Sequence, residues 1–318
     1  MLINLLFLSF GLVLLVVGAD WLVKGAASLA RRLGVKPIVI GLTVIAFGTS
    51  APELVVNLLS AWNGSPDLAL GNIFGSNLAN LLLILGLTAV MATIKIPEGT
   101  VWREIPFLLL ASAAVLLLGC NHWLGAAGEN ILSRPDGLLM LALFGVFLYY
   151  TYTISRQKGS GDDEIAVYSH LRSLGYILLG LVGLTAGGKL IVDSAVFIAR
   201  ELGASEHLIG ATVIAIGTSL PELAASIVAA WRRQPELAVG NIVGSNIFNI
   251  LFVLAMTAVL VPIPFGEAAL IDGAFALLAT LVLFFALFVG RRHHFERWQG
   301  VAFLFLYAAY ITFSLLRG

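Results

Sequence analysis

Charge is what this sequence has least of. Only 11% of its 318 residues are Asp, Glu, Lys or Arg, while 59% are hydrophobic, and the mean hydropathy is +0.99. A soluble domain carries about 25% charged residues, so a water-solvated globular fold is excluded and lipid has to be the solvent. The 18 basic residues are balanced by 18 acidic ones with no basic run, which removes nucleic acid from the list of partners. Cysteine is represented by Cys120 alone, so neither an internal disulfide nor a thiolate metal cluster can form, and this residue reads as small apolar filler. No Lys or Arg precedes Lys24, so the opening stretch lacks the positive region of a cleaved secretory signal and is expected to stay as a span. The histidines, His122, His170, His207, His293 and His294, fall in loops or at helix ends, and none is placed for a transmembrane proton relay.

What is there is a series of long apolar runs. A membrane-crossing helix needs about 20 apolar residues, and the Pro, Gly and charged breaks leave ten candidates: 3–30, 37–62, 67–91, 102–120, 135–155, 172–199, 206–231, 236–260, 268–290 and 298–316. With ten crossings, Arg31, Arg32, Lys36, Lys95, Arg103, Arg156, Lys158, Arg172, Arg232, Arg233, Arg291, Arg292 and Arg297 share one side. Only Arg134, Arg200 and Arg317 share the other. That bias makes the first side cytoplasmic and puts both termini outside.

The sequence repeats itself. At an offset of 169 residues, 41–80 (GLTVIAFGTSAPELVVNLLSAWNGSPDLALGNIFGSNLAN) and 210–249 (GATVIAIGTSLPELAASIVAAWRRQPELAVGNIVGSNIFN) agree at 23 of 40 positions without a gap. Each unit holds five spans, an odd number, so the second must enter the membrane from the opposite side. The expected fold is an all-α polytopic membrane protein of ten transmembrane helices in two inverted five-helix repeats, 1–155 and 172–318, joined by a cytoplasmic linker at 156–171. Such repeats are a common architecture of secondary transporters, with the substrate near the midplane.

Polar residues within the repeated segments gather at mid-depth. Spans 2 and 3 contribute Thr49, Ser50, Glu53, Asn72, Ser76, Asn77 and Asn80; spans 7 and 8 contribute Thr218, Ser219, Glu222, Asn241, Ser245, Asn246 and Asn249. A carboxylate at the bilayer centre costs at least about 2.5 kcal/mol, which makes Glu53 and Glu222 functional candidates. Pro52 and Pro221 each remove a backbone donor and clash with the carbonyl four residues back, so both helices must kink or open. Open backbone at membrane depth is tolerated only where it lines a cavity. Carbonyls, hydroxyls, amide oxygens and two carboxylates make an all-oxygen cage, the ligand set of a hard cation such as calcium. Two ionised Glu are matched by one divalent ion or by two or more monovalent ions. The glycine pairs Gly71/Gly75 and Gly240/Gly244 read as helix-packing seams.

GTSAPE with GSNLAN, and GTSLPE with GSNIFN, resemble the two α-repeats of the sodium/calcium exchanger family, in a bacterial type without a large regulatory loop. The resemblance implies electrogenic antiport of sodium for calcium by alternating access, in the cell membrane of a bacterium or archaeon. It implies Glu53 and Glu222 as principal calcium ligands. Thr49, Ser50, Ser76, Asn80, Thr218, Ser219, Ser245 and Asn249, with the carbonyls of Ala46 and Ala215, are implied as further sodium or calcium ligands. Potassium-dependent members carry an acid where this chain has Asn249, which favours a potassium-independent exchanger. Calcium and sodium are then substrates, with no cofactor and no obligatory protein partner. A proton/calcium or other divalent antiporter of the same architecture is the alternative. A passive channel would need no counter-ion. A serine hydrolase built on Ser50 or Ser219 lacks a His or Lys base at that depth, so no catalytic group and no enzyme is expected.

Other charges have plainer readings. Asp20/Lys24 and, at the repeat offset, Lys189/Asp193 are sign-swapped pairs four residues apart, expected as intrahelical ion pairs. Asp67 and Glu236 follow Pro66 and Pro235 and read as helix caps. Glu104 and Asp272 lie near helix starts and are expected at the membrane interface. Trp62 and Trp231 end matched helices as interfacial anchors.

Overall fold

The computed structural model describes residues 2–64, 67–120, 130–156, 166–202 and 215–317. Apolar sequence without water leaves the backbone no partner but itself, and helices are the outcome. The first is α1, Leu2–Leu33. After it come α2, Pro37–Thr49, and α3, Ala51–Trp62, then α4, Leu68–Met91, and α5, Thr100–Gly119. Next are α6, Arg134–Ser155, and α7, His170–Glu201. Two short helices, α8, Ala215–Thr218, and α9, Leu220–Trp231, precede α10, Pro235–Leu260. The chain ends with α11, Glu267–Ala286, and α12, Arg297–Arg317. Eight of these can cross a membrane by length and composition, and the bent pair α2–α3 makes a ninth. Part of the expected span at 206–231 is present as α8 and α9; 206–214 lies outside the described residues, as do Lys158 and most of the linker.

Two-residue strand pairs tie loops together. Ile94–Lys95 lies antiparallel to His294–Phe295, and Ile131–Leu132 to Ile263–Pro264. Each pair joins loops that the charge bias assigns to one side.

The longest helices, α1 and α7, form one layer. Each has 32 residues, about 48 Å at 1.5 Å per residue, against a hydrocarbon core of about 30 Å. They run antiparallel with glycines at the crossing. A Cβ on Gly18 would sit 2.7 Å from the Leu184 nitrogen, and one on Gly180 2.6 Å from the Leu22 nitrogen. Nothing larger than glycine fits, so the backbones touch. Ser28 Oγ meets Ser173 Oγ at 2.9 Å in the same seam.

At the centre are α4 and α10, buried over 78% and 83% of an 18-residue apolar stretch where the other unbroken spans are 28–39% buried. Gly240 and Gly244 let α10 lie on α2; a Cβ at either would approach α2 atoms within 2.8 Å. Among the described residues nothing lies within 4 Å of the corresponding positions on Gly71 and Gly75, so their packing role is seen only in the second copy.

Glu104 and Asp272, expected at the membrane interface, are buried against neighbouring helices. Glu104 is 2% exposed and accepts a hydrogen bond from the Tyr150 hydroxyl. Asp272 is 8% exposed and accepts from Arg317 Nη2 at 3.1 Å on both oxygens. A carboxylate this close to the hydrocarbon is held by a partner from a neighbouring helix rather than by water. Trp62 and Trp231, at 89% and 75% exposed, stand at helix ends as expected, and Cys120 is buried and free.

Candidate ion site

Both Gly-Thr-Ser-x-Pro-Glu segments break their helices at the serine of the motif. Ser50 has φ −82°, ψ 4° and Ser219 φ −89°, ψ 6°, each followed two residues later by proline in the first turn of the next helix. The first break bends α2 against α3 by 42°. Proline lacks the N–H that would bond back across the break, so the turn opens there. Glu53 and Glu222 fall in the first turns of α3 and α9, and both are fully buried.

Each carboxylate is touched by a hydroxyl from elsewhere. Ser50 Oγ donates to Glu222 Oε1 at 3.3 Å, and Ser76 Oγ of α4 donates to Glu53 Oε1 at 3.4 Å. Because Ser50 is three residues from Glu53, the first contact brings both carboxylates into one site. Thr49 Oγ1 lies 3.1 Å from Asn241 Oδ1, 3.3 Å from Ser245 Oγ and 3.4 Å from the Ala46 carbonyl. That carbonyl also accepts from the Ser50 nitrogen at 3.0 Å. Ala215 opens α8.

The central helices exchange amides in a reciprocal pattern. Asn77 Nδ2 donates to the Asn246 carbonyl and Asn246 Nδ2 to the Asn77 carbonyl, each at 3.3 Å. Asn80 Nδ2 donates to Asn246 Oδ1 at 2.9 Å, and Asn249 Nδ2 to Asn77 Oδ1 at 3.1 Å. Every contact maps onto its mate at the 169-residue offset. Asn80 and Asn249 sit in π-helical turns, Ala79–Ile84 and Asn249–Leu254, of a kind found often at functional sites.

With the amide nitrogens spent in this way, the oxygens are left over. Glu53 Oε2, Glu222 Oε2, Asn80 Oδ1, Asn249 Oδ1, Thr218 Oγ1 and Ser219 Oγ are buried without a hydrogen-bond partner. Buried polar atoms are nearly always paired, so six leftover oxygens require a reason. All can give lone pairs to a positive ion. Of the twelve positions expected from the sequence, Thr49, Ser50, Glu53, Ser76, Glu222 and Ser245 are joined by the contacts above. Asn80, Asn249, Thr218 and Ser219 supply leftover oxygens, and Ala46 and Ala215 supply backbone at the breaks.

Sequence reasoning passed over Asn57 and Ser226. Asn72 Nδ2 donates to Asn57 Oδ1 at 2.7 Å, and Asn241 Nδ2 donates to Ser226 Oγ at 3.0 Å, so these residues hold amides that flank the site. Each lies four residues after its Glu, on the same helix face.

A cavity of about 450 Å3 beside the breaks is lined by Pro52, Thr218 and Pro221 and by Lys189 and Asp193 of α7. Lys189 Nζ is 3.0 Å from Asp193 Oδ2. The repeat-related pair, Lys24 Nζ and Asp20 Oδ2, is closer at 2.7 Å and is not purely intrahelical. Arg232, just past α9, also pairs with Asp20.

The whole chain is similar to known membrane proteins. The family model described as sodium/calcium exchanger protein matches residues 3–153 and 172–316. Inner membrane protein YrbG of Escherichia coli (strain K12) is 36% identical, over 82% of this chain and 81% of its own. Sodium/calcium exchanger MaX1 of Methanosarcina acetivorans is 29% identical, over 98% of both. A solved structure of the sodium-calcium exchanger NCX_Mj, soaked with 10 mM Na+ and zero Ca2+, matches with a TM-score of 0.85 at 32% identity, covering 98% of this chain and 99% of that one. One of the sodium/calcium exchanger from Methanococcus jannaschii matches with a TM-score of 0.82 at 32% identity and the same coverage.

Proposed function

This chain belongs to the sodium/calcium exchanger family, and on that premise we propose that it exchanges sodium for calcium across a prokaryotic cell membrane by alternating access, moving net charge and needing no potassium. The observation that carries this reading is the set of six leftover buried oxygens, two of them carboxylate, on the two helix breaks and their partner helices. Calcium takes six to eight oxygens in flexible geometry, and a buried pair of carboxylates without a counter-ion is costly. Calcium and sodium competing for one such cage couple their movements if the protein crosses readily only when loaded. Glu53 and Glu222 bind calcium; Thr49, Ser50, Ser76, Asn80, Thr218, Ser219, Ser245, Asn249 and the carbonyls of Ala46 and Ala215 complete the sodium and calcium positions.

The reciprocal Asn77–Asn246 contacts support two repeats that pack as mates; the ten apolar runs and the Lys/Arg bias of the sequence are what favour ten spans with both termini outside and the linker cytoplasmic. An odd number of crossings per repeat requires that the two be inverted.

The test is calcium-45 uptake into proteoliposomes loaded with sodium. Uptake should require an outward sodium gradient, accelerate with an inside-negative shift or its reverse according to the net charge moved, and ignore potassium. Uptake driven equally by a pH gradient in sodium-free buffer would transfer the assignment to proton/calcium antiport.

A further inference from the structure

Lys189 is out of place: a fixed cation on the wall of a cavity that also borders Thr218 of the candidate cation site. Among the described residues lining that cavity, Lys189 and Asp193 are the only charged ones, and the rest of the wall is mostly apolar. Their side chains are 76% and 60% exposed.

Depth places the pair at an entrance. Centring the 32 residues of α7 on the membrane leaves about 9 Å of overhang at each end. Asp193 then lies near the boundary of the hydrocarbon and Lys189 about one turn deeper. The mate of this pair in α1 differs. Asp20 is taken by both Lys24 and Arg232, and the cavity of about 190 Å3 beside them is bordered by none of the ion-site residues. Arg232 has Asn63 as its counterpart at the repeat offset, which carries no charge. Of the two pairs, then, it is the α7 pair that shares a cavity with an ion-site residue, Thr218.

We propose that Lys189 and Asp193 form a charge balance at the cavity entrance that sets how ion capture depends on valence. This deepens the antiport reading and rests on it. Low-dielectric walls focus the field of the few charges present. With both charges in place the entrance is neutral. Removing Asp193 leaves it positive, and removing Lys189 leaves it negative. A unit charge about 10 Å from the ion path in water changes the local concentration of a monovalent ion about twofold and of a divalent ion about fourfold. The divalent effect is the square of the monovalent one, a relation that packing cannot imitate.

The experiment measures apparent KM for calcium and for sodium in proteoliposomes at low ionic strength, with wild type, Asp193→Asn and Lys189→Gln. Asp193→Asn should raise the calcium KM by about fourfold and the sodium KM by about twofold, and Lys189→Gln should lower both in the same ratio. Turnover at saturating ion should stay at the wild-type value. About 1 M choline chloride, where the Debye length is about 3 Å, should erase the shifts. Unchanged KM values, equal shifts for the two ions, shifts of one direction in both variants, or shifts that survive the salt would each overturn the proposal while leaving antiport standing. Wild-type liposomes without sodium-dependent calcium flux would overturn the antiport reading, and this one with it.

Discussion

Ser50 donates its hydroxyl proton to Glu222 at 3.3 Å, so the helix break of one sequence repeat holds the carboxylate of the other. Ser219, the residue matching Ser50, has no such partner. The two copies are alike in sequence and unlike in bonding.

That difference orders the serine variants. Ser50→Ala takes the donor from a fully buried carboxylate, and a hydrogen bond to a charged group is worth about 1.5–3 kcal/mol. Its calcium affinity should fall by about 10-fold or more, with Ser219→Ala less affected in isothermal titration of the purified protein. Equal losses would show that the Ser50 contact carries no weight.

Glu53→Gln and Glu222→Gln each remove one of the two negative charges. Orienting residues around a metal already cost 10–100-fold when lost, so direct ligands should cost about 100-fold or more in calcium-45 uptake. Wild-type uptake in both variants would remove the carboxylates from the site.

Asn77→Ala and Asn246→Ala break the same reciprocal clamp from opposite ends. Each should weaken calcium binding by about 10–100-fold, and the two losses should match within a small factor. A loss confined to one variant would show that the clamp does not act as a unit.

Arg317→Leu strands Asp272 between helices. Breaking a buried pair from one side costs about 3–5 kcal/mol, and because Arg317 is 25% exposed the lower end applies. Its thermal unfolding midpoint in detergent should drop clearly, and the double variant with Asp272→Asn should recover most of it. No recovery would mean that the packing of Arg317, and not its charge, is what matters.

Much of this site can be read from residue order. The doubled Pro-Glu breaks, the Asn-rich partner helices and the pairing of Asp20 with Lys24 all follow from local spacing, because helical geometry alone decides which residues share a face. Arg232 on Asp20 could not be read that way, since 212 positions separate them and only the packing of α1 near the end of α9 joins them. The burial of Glu104 was hidden for a related reason. Its partner Tyr150 comes from another helix, and a carboxylate near a helix start looks interfacial until that helix is placed. The π-helical turns carrying Asn80 and Asn249 have no signature in composition. Asn57 and Ser226 did have one, four residues beyond each Glu, but they differ from each other and so do not stand out when the two repeats are compared.

The amide exchange between Asn77, Asn80, Asn246 and Asn249 also makes each half of the molecule depend on the other. The first half alone would leave the amides of Asn77 and Asn80 without these acceptors, and the second half alone would do the same to Asn246 and Asn249. A buried amide without its partner costs about 1–3 kcal/mol, so the two halves are expected to fold as one unit.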